Sequence, residues 1–196
     1  MKLLALVAGF QLCVGTVAMS ADSKAVGDAS VDIFNGHDLA GWTIMNDAKF
    51  SVTNGVIHLE ACNGWLRSDK QYTNFVFEME WRPLQTNYNS GVFVRAGLEG
   101  SPFPNDAWQI NLKEAALASI LKGARMMQPG PAEVKPPSPN QWMRYQITVQ
   151  GSSLKVRIDG KPAGEYEGLD AASGYVGVQA EGAAMEFRNV RIRILP

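Results

Sequence analysis

The stretch from Glu78 to Arg95 reads E-M-E-W-R-P-L-Q-T-N-Y-N-S-G-V-F-V-R and carries more chemistry than any other part of the chain. Glu78, Glu80 and Arg82 stand at alternate positions, Asn89-Ser90-Gly91 makes a corner, and Arg95 closes the second run. Carboxylates and guanidiniums on one face can bind a hydroxyl-rich ligand, which needs paired donors and acceptors and an aromatic plate for its ring. Two carboxylates held about 5–9.5 Å apart would instead suit a conventional glycosidase. The same residues also fit a plain solvated face of an antiparallel sheet, and the pattern alone leaves both readings open.

These side chains owe their direction to strands. Phe75, Phe77, Met79 and Trp81 share one face of a period-two run, so Val76, Glu78, Glu80 and Arg82 share the other. Gln179 and Glu181 likewise oppose Val176 and Val178, and Arg144, Gln146 and Thr148 oppose Tyr145 and Ile147. Further alternating runs cover Phe50–Leu59, Leu154–Ile158 and Val190–Ile194. Asn54-Gly55 and Asp159-Gly160 supply tight hairpin turns. Met185 and Phe187 are apolar at odd positions but Val190 and Ile192 at even ones, so a bulge is expected near Arg188-Asn189. Many short alternating strands predict an all-β antiparallel sandwich or barrel.

Two segments depart from that pattern. Residues 113–122, K-E-A-A-L-A-S-I-L-K, have helical composition and predict one short helical insert. Residues 129–139 hold five of the ten prolines and predict a stiff, extended surface loop.

The N-terminus has Lys2, an apolar run from Leu3 to Val17 and the small-x-small Ala18-Met19-Ser20, the pattern of a cleaved secretory signal. The expected organisation is a signal peptide over 1–20, a flexible segment over 21–30 and one domain over 31–196, located in the periplasm or secreted. Lys2 is the only charged residue in the signal, so the mature chain would hold 17 basic against 19 acidic residues, a net charge of −2. That balance gives no pull toward nucleic acid or anionic membranes. Cys13 would leave with the signal, so Cys62 has no partner for a disulfide and is expected as a small buried apolar residue. His37 and His58, the two histidines, show no ligand-like spacing, and neither is taken as a metal ligand. The sequence requires no cofactor, though a hard cation such as calcium stays open.

Four pieces in one order resemble the 3-keto-disaccharide hydrolase family: I-F-N-G-H-D-L-A-G-W (Ile33 to Trp42), F-V-F-E-M-E-W-R, N-S-G-V-F-V-R, and V-G-V-Q followed by F-R-N-V-R-I. The likeness spans about residues 31–195. It implies a concanavalin A-like jelly roll of two antiparallel sheets, export, and action on oxidised glycosides. Matched motif by motif, it places Glu80, Arg82, Asn89, Ser90, Arg95 and Gln109 in the site, with Trp108 beside Gln109 and Gln179 in V-G-V-Q. Ala107 stands where the family pattern has Glu, and Glu181-Gly182 where it often has His-Gly. The family's Gly-rich strand before its proline loop is here L-A-S-I-L-K-G.

A ketone at C3 of a sugar acidifies the hydrogen on C2. A base removes that proton, the anomeric substituent leaves by elimination, and water adds back. Such a site needs a base, an acid for the leaving oxygen, and donors or positive charge for the enolate. Glu80 or Glu181, if partly desolvated, would serve as base or acid. Arg82 or Arg95 would hold the enolate oxygen, and the proline loop would wall the groove. The alternative is a non-catalytic carbohydrate-binding jelly roll, since fold alone does not separate the two.

Overall fold

The computed structural model describes residues 29–196. The expected signal peptide, and all but the last two residues of the 21–30 segment, lie outside the described residues. Among the described residues, no helix is long and apolar enough to cross a membrane.

Fifteen strands stack as two antiparallel sheets. The early strands are β1 (Val31–Asp32), β2 (Trp42–Asn46), β3 (Lys49–Thr53), β4 (Val56–Ala61), β5 (Asn63–Tyr72), β6 (Phe75–Pro83), β7 (Gly91–Ala96) and β8 (Trp108–Asn111). The later ones are β9 (Ile120–Lys122), β10 (Arg125–Gln128), β11 (Met143–Gln150), β12 (Ser153–Ile158), β13 (Lys161–Glu167), β14 (Gly174–Glu181) and β15 (Met185–Ile194). The first sheet runs β13-β12-β11-β6-β15-β4-β3, with β1 on β15; the second runs β10-β9-β8-β7-β14-β5-β2. This is the expected jelly-roll sandwich.

The core lies between the sheets. Phe75, Phe77, Met79 and Trp81 of β6 are all fully buried there, facing Leu66, Val92, Ile110, Val176 and Val178 of the second sheet within one apolar cluster. Strict alternation then sends Glu78, Glu80 and Arg82 outward. Asn54 and Gly55 turn β3 into β4 with φ of 52° and 76°, and Asp159 and Gly160 turn β12 into β13 with 47° and 79°. Two successive positive φ values are what a two-residue hairpin turn demands. The expected bulge is present: the pairing of β15 with β6 slips between Arg188 and Arg191, and Asn189 sits at φ 53°.

Three expectations change. Residues 113–122 form only a three-residue 3-10 turn at Glu114–Ala116, followed by β9. Leu117 is extended and Ala118 has φ 60°, so the chain leaves helical geometry to hydrogen-bond along β8. Tertiary pairing outweighs the helix propensity of its alanines. Cys62 is half-buried at φ 70°, in the turn between β4 and β5, rather than packed in the core. The proline loop packs elsewhere than expected. Pro129–Ala132 and Val134 line a small cavity with Glu114–Leu117 and Ser119, and Gly130 N–H donates to Ser119 Oγ at 3.2 Å.

Candidate functional site

Gln109 and Asn111 of β8, and Lys113 just after it, leave the chain on the face opposite Ile110 and Leu112, which are core. Gln179 and Glu181 leave β14 on the same outer face, opposite Val178 and Ala180. With Asn89 they form the floor of a cleft of about 400 Å³ on the second sheet. Its wall is the contiguous segment Ser101–Asn105, and Leu121, Gly123 and Ala124 close the other side.

The floor is pre-arranged. Gln109 Nε2 donates to Gln179 Oε1 at 3.1 Å and to Asn111 Oδ1 at 3.2 Å, joining β8 to β14 across the intervening β7 through their amides. Gly91 permits this. A Cβ there would lie 2.7 Å from Gln109 Cγ and Cδ, so only a glycine lets the glutamine cross β7 toward β14. Gly177 does the same for an aromatic ring: a Cβ there would lie 2.6 Å from Trp65 Cε3. Trp65 packs edge-on against Phe93 at 5.6 Å, and Phe93 meets Phe103 of the wall at 6.3 Å. The wall is pinned by Asn46 Nδ2 to the Pro102 carbonyl at 2.7 Å and by Asn105 N–H to the Glu99 carbonyl at 2.8 Å.

Among the described residues, Glu181 is the one carboxylate that lines this cleft. Burial raises its pKa above the ordinary carboxylate value, and the charge of Lys113 at the rim partly offsets that rise. A carboxyl so placed is a stronger base once ionised, and can hold a proton closer to neutrality. Lys113 and the amide nitrogens of Asn89, Asn111 and Gln179 are the groups available to a developing negative charge, since Gln109 Nε2 already donates twice.

The structure therefore divides the expected site. Asn89, Gln109, Gln179 and Glu181 come together in the cleft. Ser90 lies fully buried beneath it, donating from Oγ to the Gln179 carbonyl at 2.6 Å, so it shapes the floor without facing a ligand. Trp108 points the other way, into the core, with Nε1 donating to Asp170 Oδ1 at 3.0 Å and its ring 5.0 Å from Tyr166. Its even number places it in phase with Ile110, not with Gln109.

Arg95 is likewise not in the cleft. Its φ of 47° breaks the alternation of β7, and its guanidinium is buried among backbone oxygens. It donates to the carbonyls of Thr73 (2.7 and 3.0 Å), Gly151 (2.7 Å) and Ala171 (2.6 Å), and to Asn74 Oδ1 at 3.3 Å. Those residues belong to three connections at one end of the sandwich, so Arg95 ties both sheets together.

Glu80 and Arg82 occupy the outer face of the first sheet, across the thickness of the sandwich from the cleft. Glu80 accepts from Arg188 Nε at 2.7 Å. Arg82 pairs with Glu186, whose other oxygen lies 3.1 Å from His58 Nδ1, and the guanidiniums of Arg82 and Arg188 both stack on Trp142. Glu80 and Glu181 thus cannot act on one substrate, and Arg82 and Arg95 cannot hold its enolate. Alternation says only which residues point outward. It is silent on which sheet they leave, and β6 and β14 belong to different ones.

Asn111, Lys113, Phe93, Phe103 and Asn105 complete the cleft without having been expected there. A signal for two of them existed, because Gln109, Asn111 and Lys113 alternate with Ile110 and Leu112. Among the described residues, no group of three His, Cys, Asp or Glu side chains could hold a metal ion. For the calcium left open by the sequence, the cleft offers one carboxylate and amide oxygens.

The fold and its site define a two-sheet antiparallel jelly roll with an amide-rich, aromatic-sided cleft on one sheet. Residues 29–193 match the model of the 3-keto-alpha-glucoside-1,2-lyase-like domain, and the chain belongs to that family. No curated protein matches the chain. Among solved structures, one similar protein comes from Parabacteroides distasonis ATCC 8503 and is provisionally assigned as a glycosyl hydrolase. It has 20% identity and a TM-score of 0.70, covering 91% of this chain and 98% of its own. The carbohydrate-binding module CBM66 of Bacillus subtilis superposes with a TM-score of 0.67 at 15% identity, over 78% of this chain and 95% of its own. A Bacillus licheniformis beta-glucanase does so with 0.59 at 13%, over 88% and 100%. At these identities the likeness is one of fold.

Proposed function

We propose that the chain acts on glycosides oxidised at C3, bound in the cleft of the second sheet, with Glu181 as the base. The observation that carries this reading is a half-buried carboxyl of raised pKa on an amide-lined floor, with a cation at the rim. The ionised carboxylate takes the proton from C2. Negative charge then develops on the C3 oxygen, where Lys113 or the amide donors of the floor stabilise it. The C1–O bond breaks, its electron pair leaves with the aglycone oxygen, and addition of water to the unsaturated sugar completes a net hydrolysis. Membership of the family supports the substrate class, and the apolar start of the sequence supports export to the periplasm or medium. Mass spectrometry of exported protein should then find an N-terminus near Ala21.

Incubation with native and 3-keto disaccharides, followed by assay of released reducing sugar, tests the reading. Release from the keto forms alone is the expected result. The lone carboxylate also favours a second reading, a carbohydrate-binding domain without turnover, because elimination of a sugar alkoxide ordinarily calls for an acid as well as a base. Saccharide binding without release from any substrate would replace the first reading with the second.

A further inference from the structure

The cleft is two-sided in its chemistry. One side is the amide row of Gln109, Asn111, Gln179 and Asn89, with Glu181. The other is the Ser101–Asn105 wall, whose middle is the apolar run Pro102-Phe103-Pro104, with Leu121 and Ala124 across from it. Phe103 is half-buried, its ring leaning on Phe93, which in turn rests on Trp65. A disaccharide presents hydroxyls along its whole length, and those laid against Phe103 and its flanking prolines meet no partner there; buried polar groups without partners are costly. A ligand with one hydroxylated ring and one apolar ring meets both sides.

The ionisable groups point the same way. Glu181 is needed as the base, and among the described residues no second carboxyl lines the cleft to protonate a departing oxygen. A sugar hydroxyl is a poor leaving group without that proton. A phenol ionises near pKa 10, as tyrosine does, so its oxygen departs as the anion and collects its proton from water afterwards. Both observations select the same ligand.

We infer that the cleft is built for aryl glycosides, the sugar on the amide row and the aryl aglycone against Phe103; this rests on the function proposed above. In the elimination, Glu181 gains the C2 proton, the C1–O electron pair leaves on the phenolate, and no oxidant or reductant is consumed. Phe103 is then the residue that sets specificity for the leaving group.

Phenyl and methyl 3-keto-glucosides, compared in the parent and in Phe103→Ala and Phe103→Leu variants, provide the test. The parent should favour the phenyl substrate by at least about tenfold in kcat/KM. Both variants should lower that ratio severalfold, mainly through KM, because each removes the ring that pairs with the aryl group. Leucine keeps apolar bulk at position 103, so a loss shared by both variants belongs to the ring. A parent ratio near one, or a ratio unmoved in both variants, overturns the inference while the proposed function stands. Should neither substrate turn over, the proposed catalysis fails, and calorimetric binding of phenyl and methyl glucosides decides the inference instead. Tighter phenyl binding that weakens in both variants supports it, and equal binding of the two ligands overturns it.

Discussion

Replacing Arg95 by methionine separates a ligand-binding arginine from an architectural one. Methionine keeps the apolar stem and removes the guanidinium. Four hydrogen bonds to three main-chain carbonyls and a fifth to Asn74 are lost together. Hydrogen bonds to a charged group contribute about 1.5–3 kcal/mol each. Thr73 and Gly151 are exposed and Ala171 is half-exposed, so water can re-solvate part of what is freed. Relief of the cost of burying a guanidinium offsets the total further. Taking about 1 kcal/mol for each of the three carbonyls gives a loss of about 3 kcal/mol. For a domain of this size that lowers Tm by about 6–12 °C. Scanning calorimetry of parent and variant measures it, and saccharide affinity at a temperature where both are folded should be unchanged. Arg95→Lys should recover part of the loss, because an ammonium can still reach one or two of the carbonyls. A methionine variant that melts within about 1 °C of the parent but binds ligand tenfold more weakly would refute the clamp.

In Glu181→Gln, turnover should fall at least about a hundredfold, the usual share of a general base. The raised pKa sets the sign in the parent: activity declines as pH falls through a value above the ordinary carboxylate range, and folding stability falls as pH rises through that same interval. Glutamine removes the charge that burial opposes, so the variant's melting temperature at neutral pH should be equal or higher, which a melt checks. Glu80→Gln should leave turnover unchanged and cost under about 1 kcal/mol, because it breaks only a partly exposed ion pair with Arg188; a hundredfold loss of activity would contradict the placement of the site. Gly91→Ala should displace Gln109 from Gln179 and weaken saccharide binding in calorimetry, with a stability cost of about 1–3 kcal/mol from overpacking. Gly130→Ala should depress the melting temperature with little effect on binding, since its methyl would collide with the Leu117 carbonyl well away from the cleft.

Sequence pattern carried the sandwich because its signals are local. The alternation of Phe75, Phe77, Met79 and Trp81, the Asn54-Gly55 turn and the phase change before Val190 each state a backbone geometry within a few residues. The candidate site depended on something non-local. In a jelly roll, chain neighbours switch sheets: β4 lies in the first, β5 in the second, β6 in the first, β7 in the second. Glu80 and Glu181 look alike in sequence, each outward on an alternating strand, yet the sandwich separates them. Arg95 was lost to the pattern because its positive φ breaks the period that would have assigned its face. Residues 113–122 misled through composition, since alanine and leucine favour helix only where no neighbouring strand competes for their backbone.

The cleft is made from parts of very different mutability. Its floor draws on residues 89–91, 109–113 and 179–181, strands from distant parts of the chain locked by pairing on both sides. Its wall is five consecutive residues, Ser101–Asn105, held to the domain by a few hydrogen bonds. A single insertion or deletion in one surface loop can therefore exchange the whole wall at once, while the floor stays constrained by the packing beneath it. Such a molecule is disposed to diversify by swapping one loop, so descendants with the same floor can reach new ligands without passing through unfolded intermediates.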